Sequence, residues 1–310
     1  MASNNLRVIY QNIVDMTGST IAASSVASST NTPIANTQSD LKSRVWRTAG
    51  ASTNTCNAAF VVTVSNAITI SAVVLAFCNL SSVATIRVRG FTGTTPTLGA
   101  TVDTAPTVTT TGATTIFDTN NLGTYLAAPY QAAGDWNWGS NPGSSTAYSN
   151  TRVYGRIWIP DAYINMACTS FVVEINDTNC PDRFIEVSRI IMGSYWFPKY
   201  NTSYGLSATI KDMSTTSRTE AGDLVTFVAP YYNTLSLDLK YLTKDDRTTL
   251  FKIIKAAGIR RAFYINLFPN NSDDWGKEQT YQCYGKLVTI PGLTHDMFDI
   301  YSSQIEIEEI

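Results

Sequence analysis

Six short runs of β-branched and aromatic residues carry the first two-thirds of the chain: residues 59–64, 67–78, 85–91, 153–159, 170–175 and 184–192. Most have the length of a strand, and small polar turn residues separate them. Within 85–91 the alternation is explicit, with Ile86 and Val88 projecting to one face and Arg87 and Arg89 to the other. One face is core and the other meets water. No helical repeat lies between the runs, so the pattern predicts an antiparallel sandwich and not a βαβ sheet. Charge supports this: only 15% of the 310 residues are Asp, Glu, Lys or Arg, against about 25% in ordinary domains. Ser, Thr and Asn fill the polar positions instead.

Between 92 and 151 the sequence falls to low complexity, TPTLGATVDTAPTVTTTGATT followed by a Gly/Ser/Asn-rich stretch holding Asp135, Trp136, Trp138 and Tyr148. Such a segment cannot bury a core of its own and reads as excursions from the sandwich, with one strand near 114–117. It is the expected contact surface of the first domain.

A turn-rich bridge at 198–205 (PKYNTSYG) follows the apolar run RIIMGSYWF, and the alternation restarts beyond it. This divides the chain into 1–200, a β-sandwich, and 201–310, a small α+β domain. In the second domain, strands are expected at 206–210, 223–229, 234–241, 262–268 and 280–290. One amphipathic helix has a full set of signals. Thr243 is the N-cap, Asp245 and Asp246 suit the positive helix end, and Leu250, Ile253, Ile254 and Ala257 line one face. Gly258 stops it, with Arg260 and Arg261 just beyond.

The chemistry-bearing residues are few. Twenty-two basic against 24 acidic residues give a net charge of −2, no field to draw in a phosphate backbone, so a nucleic-acid partner is not expected. His295 is the only histidine, and no GxSxG or HExxH pattern accompanies it, so a surface or structural role is expected. Asp135, and the pair Asp273–Asp274 beside Trp275, raise a glycosidase reading. That chemistry needs two carboxyls held across one sugar bond, and sequence neighbours need not converge, so turn roles are expected and no enzyme activity. Trp136, Trp138 and Tyr148 can stack on sugar rings or pack against a neighbouring subunit. Asn176, Asp177 and Asp182 offer oxygen ligands to calcium but lack EF-hand spacing, which favours an Asx-type turn and no metal. In SRVWRT, a strand would set Arg44 and Trp46 on one face, where they can stack, with framework packing expected over ligand binding. Cys56, Cys78, Cys168, Cys180 and Cys283 form no CxxC pair and read as buried free thiols. No cofactor is implied. The first residues lack the pattern of a signal peptide, and no run reaches the roughly 18 apolar residues of a membrane span, so folding in a cytoplasm is expected.

Three stretches, ASSTNTPIANTQSDLKSRVWRTAG, AITISAVVLAFCNLSSVATIRVRGF and SFVVEINDTNCPDRFIEVSRIIMG, together resemble the galactose-binding-like (discoidin-type) jelly-roll domains, in the versions found in tailed-bacteriophage structural proteins. The resemblance covers about 13–197, with 92–151 poorly matched. The remainder looks like the small strand–helix–strand domains of phage tail-tip and baseplate proteins. This implies a non-enzymatic virion component at the tail tip or baseplate, assembled in the host cytoplasm, whose partners are like subunits and other tail proteins. The alternative it implies is a carbohydrate-binding adhesin that recognises a host surface glycan. Fold likeness alone does not choose between them.

Overall fold

The computed structural model describes residues 5–81, 83–99, 102–119, 125–126, 153–180, 182–229, 231–269, 275–297 and 299–310. The fold is mainly β, a jelly-roll-type sandwich followed by a smaller α+β part. One sheet of the sandwich runs Tyr125–Leu126, Thr85–Gly93, Cys168–Asp177, Cys56–Ile68, Thr20–Ala23, with Ala113–Asp118 also paired to Thr85–Gly93. The facing sheet runs Val153–Trp158, Ala72–Cys78, Glu186–Gly193, Trp46–Arg47. Inward residues interleave between them: Phe60, Val62, Val88, Phe171 and Val173 from the first, Val73, Leu75, Ile157, Val187 and Ile190 from the second.

The run at 67–78 is two strands and not one. Cys56–Ile68 ends in the first sheet and Ala72–Cys78 begins in the second. Between them Ile70 turns into the core, and Ser71 is already tied to the second sheet, its N–H donating to Gly193 O at 3.0 Å and its carbonyl accepting from Ile159 N at 2.8 Å. The Arg44–Trp46 stack does not form, because only Trp46–Arg47 is strand and Trp46 is fully buried while Arg44 is exposed. Its indole N–H donates to Ser25 O at 3.0 Å and its ring meets Phe60 edge-on. The guanidinium that does stack is Arg47, 4.4 Å over Phe184.

The second part is a sheet of order Arg7–Ile9, Phe263–Asn266, Gln282–Leu287, Ile300–Glu309, Tyr231–Leu242, Ser207–Asp212, with Thr294–Met297 paired to Ile300–Glu309. The helix Lys244–Ala257 lies on one face of it. Thr243 and Asp246 form a reciprocal capping box, and Gly258, at φ 51°, ends the helix. Leu250, Ile253, Ile254 and Ala257 pack on Leu235, Leu237, Leu239, Ile265 and Ile305, the stripe that the spacing predicts. A short second helix, Trp275–Thr280, stands where the sequence pattern predicts none.

The other face of that sheet is not free. Ile9, Tyr264 and Tyr284 pack against Ala72, Val74, Ala76, Tyr154, Trp158 and Ile191, the outward side of the sandwich's second sheet. That middle sheet is therefore buried on both faces, which is why its strand AVVLAFC shows no polar alternation and EVSRIIMG is buried from end to end. The packing does not divide at residue 200 either. Arg7–Ile9 pairs with Phe263–Asn266, and Leu6 and Val8 lie in the core under the helix.

Polar groups at this junction are paired. Arg156 meets Glu278, and Asn266 Nδ2 donates to Glu278 Oε1 at 2.7 Å. Arg189 holds Asp15, the Thr37 carbonyl and the Tyr284 hydroxyl. The Tyr154 hydroxyl donates to Glu309 at 2.8 Å, and burial pushes that phenol well above its ordinary range, so it stays a donor.

Candidate functional site

Two surface features stand outside the cores. The first lies on the outer face of the sandwich's first sheet. Alternation sets Val61, Phe91 and Val172 side by side there, and the small hairpin of Thr97–Leu98 and Val108–Thr109 lies across them with Leu98 and Val108. Farther along the same strands the outward residues turn polar. Asn57, Thr85, Arg87, Glu174 and Asn176 line an open cleft of about 180 Å³, walled by Ala105, Pro106 and Thr119. Register makes the cluster: Asn176 lies opposite both Asn57 and Thr85, and Glu174 opposite Arg87.

Within the cleft, Asn176 Nδ2 donates to Asn57 Oδ1 at 2.7 Å. Glu174 Oε2 sits 3.0 Å from the Arg89 guanidinium and 3.5 Å from that of Arg87. Arg87 also donates from Nε to Asp118 at 2.9 Å, a bond that holds the guanidinium above its ordinary value. Two cations thus face two anions, and the local charge cancels.

The second feature is a hairpin that joins none of the three large sheets. Thr215–Arg218 pairs only with Leu224–Phe227, and every residue of both strands is exposed. Its turn is well made, with Thr219 N donating to Asp223 O and Gly222, at φ 91°, donating to Thr219 O, both at 2.9 Å. Yet Leu224, Phe227 and Val228 are 61%, 62% and 70% exposed, and Ile210 and Met213, which precede the hairpin in the chain, 43% and 57%. A lone two-stranded hairpin is marginal in water.

The residues singled out from sequence scatter. Trp136, Trp138, Tyr148, Asp135, Asp273 and Asp274 lie outside the described residues. Asn176, Asp177 and Asp182 do not converge. Asp177 is buried, accepting from Ser81 N at 2.8 Å and, as an Asx turn, from Asn179 N at 3.0 Å, while Asp182 accepts from Asn79 and Asn176 points into the cleft. Among the described residues no group of His, Cys, Asp and Glu is placed to hold a metal ion. His295 is exposed and stacks on Tyr301 at 4.7 Å, with Arg247 4.6 Å from the same ring. Asn57 and Glu174 escape sequence reasoning. Each is a polar residue at an outward strand position, and only the register shows that they meet.

The five cysteines are free and buried. Burial pushes the Cys168 thiol up to about 11 and Cys283 well above its ordinary value, and Cys180 donates to Phe184 O. Below pH 11 Cys168 is therefore protonated in the folded state and a poor nucleophile. In the native protein at about pH 8, Cys168 and Cys283 should not react with a thiol reagent, and the denatured protein should titrate all five thiols. Rapid native labelling of Cys168 would contradict this placement.

No family model matches the chain, and no curated protein matches it. Solved structures do align, at low similarity. A fucosidase of Ruminococcus gnavus in complex with fucose aligns over 61% of this chain at 8% identity and a TM-score of 0.35. The chain spans only 28% of that protein's length. The family 32 carbohydrate-binding module of Clostridium perfringens NanJ, in complex with galactose, aligns over 62% of this chain and 99% of its own length, at 10% identity and a TM-score of 0.32. A second module from the same organism, in complex with GalNAc-β-1,3-galactose, aligns over 59% of this chain and 99% of its own length, at 5% identity and a TM-score of 0.33. Among the described residues no helix is long and apolar enough to cross a membrane.

Proposed function

We propose that this chain is a non-enzymatic structural subunit of a tailed-bacteriophage virion, at the tail tip or baseplate, that works in repeated copies. The observation that carries the assembly part is the hairpin Thr215–Arg218 and Leu224–Phe227, which is exposed throughout and rests on no core of its own chain. Leu224 and Phe227 project to opposite faces of this hairpin, and burying either face against a like or neighbouring subunit removes exposed apolar surface and a free strand edge together. A net charge of −2 lets copies approach without strong repulsion. The placement in a phage tail rests on the sequence resemblance.

The test is Leu224→Asp with Phe227→Asp. Both side chains lie outside every core cluster, so the thermal midpoint should stay close to that of the wild type. Assembly, read by light scattering and by incorporation into tails, should be lost. Wild-type chain that remains monomeric at high concentration and is missing from purified particles would sink the proposal.

A second reading, a carbohydrate-binding adhesin of the tail, is favoured by the polar cleft over Glu174 and Asn176. Its lining carboxylate, Glu174, is tied to the Arg89 guanidinium, which suits it to hold a ligand and not to shuttle protons.

A further inference from the structure

We propose that Cys56 and Cys180 form a redox-sensitive pair, which hydrogen peroxide joins in a disulfide within the folded chain and thiol reductants reopen. The backbone sets the pairing. Cys56 opens the strand Cys56–Ile68, where it lies opposite Asp177 in the register. Beyond Asp177 the chain stays laced to the segment before Cys56: Cys180 N donates to Asn54 O at 2.8 Å, and Ala51 N donates to Arg183 O at 2.6 Å. A disulfide needs Cα atoms about 4.4–6.8 Å apart, the range of facing residues on paired segments. Both side chains enter the same core cluster, each 1% exposed, and their thiols lie within hydrogen-bond reach of each other.

Contact with Cys180 holds the Cys56 thiol below its ordinary range, while contact with Cys56, together with burial, pushes Cys180 up. Cys56 is therefore the attacking thiolate and Cys180 the resolving thiol. The Cys56 sulfur attacks one peroxide oxygen and the O–O bond breaks. Hydroxide leaves and takes up a proton as water, and Cys56 is left as a sulfenic acid. The Cys180 sulfur then attacks the Cys56 sulfur, the S–O bond breaks, and the hydroxyl departs with the Cys180 proton as a second water. Two thiols are oxidised to one disulfide while one peroxide is reduced to two waters. The way in is short, because Ser52, Thr53 and Asn54 on one side and Thr178 and Asn179 on the other are exposed. Opening such surface loops costs little beside global unfolding, and peroxide is hardly larger than water. Cys168, its thiol pushed up to about 11, and Cys283, pushed well above its ordinary value, stay reduced. The pair would remain open where thiols are kept reduced and close on exposure to peroxide.

The test treats native full-length protein with hydrogen peroxide at about pH 8, alkylates it in denaturant without reductant, and maps the peptides by mass spectrometry. Cys56 joined to Cys180 should be the main product, and the count of reactive thiols should fall from five to three. Dithiothreitol should restore the count, with the circular dichroism spectrum unchanged throughout. Cys180→Ala should stop at a Cys56 sulfenic acid that dimedone captures, and Cys56→Ala should leave Cys180 a thiol. The wild-type map decides independently of whether the variants fold. Pairing of either residue with another cysteine, a sulfinic acid at Cys56 beside an unreacted Cys180, or no change in either thiol would each overturn the proposal. A bond that forms only as the native spectrum is lost would overturn it as well, since the pairing would then belong to the unfolded chain.

Discussion

Glu278→Ala should lower the unfolding free energy by about 3–5 kcal/mol, the cost of breaking a buried ion pair by removing one partner. Glu278 is 1% exposed, and its carboxylate takes Arg156 through two nitrogens and Asn266 through a third. Alanine leaves the Arg156 guanidinium, on Val153–Trp158 of the sandwich, facing a low-dielectric junction with its main counter-charge gone. The pair joins the sandwich to the helix Trp275–Thr280 of the second part, so its loss is felt on both sides of the seam. Urea unfolding followed by tryptophan fluorescence and by circular dichroism should shift to lower midpoint on both probes together. A shift worth less than about 1 kcal/mol would mean that the pair behaves like a surface salt bridge.

Trp46→Ala should cost a similar amount for a different reason. The indole is fully buried, meets Phe60 edge-on at 6.0 Å and donates to the Ser25 carbonyl. Truncating a buried large aromatic costs about 3–5 kcal/mol through lost transfer energy and the cavity left behind. The Ser25 carbonyl loses its donor as well, worth about 1 kcal/mol. Trp46→Phe should recover most of the loss, because the ring keeps its place and only the N–H and part of the volume go. Equal destabilisation by both variants would place the energy in the hydrogen bond and not in the packing.

Fold and site are unequally legible in the sequence. Strands buried on one face announce themselves, as Thr85–Gly93 does through Ile86 and Val88 against Arg87 and Arg89. The helix is readable from cap to stop because its signals are local: a capping box, an apolar stripe, a glycine. The strand Ile300–Glu309 escapes notice although Ile305 and Ile307 alternate with Glu306 and Glu308. Its first half, IYSSQ, lacks β-branched residues after the isoleucine. The seam between the halves is hidden for another reason. A strand apolar on both faces looks the same whether its second face meets a neighbouring sheet or closes one core, and nothing near Arg7 signals a partner at Asn266. The cleft is a property of register across three strands, Cys56–Ile68, Thr85–Gly93 and Cys168–Asp177, which do not follow one another in sequence. Alternation gives the face each residue occupies, and it does not give the neighbour.

The middle sheet, buried on both sides, bears on how such a chain can change over evolutionary time. A sandwich whose second sheet faced water could be cut out, duplicated or fused elsewhere as a portable unit. Here excision would uncover Ala72, Val74, Ala76, Tyr154, Trp158 and Ile191 together, a sticky surface that a soluble fragment does not tolerate. The two halves must therefore be inherited as one block, and sequence change on either side of the seam is answerable to the other. Diversification is left to the rim: the outward polar positions of the first sheet and the tip of the hairpin.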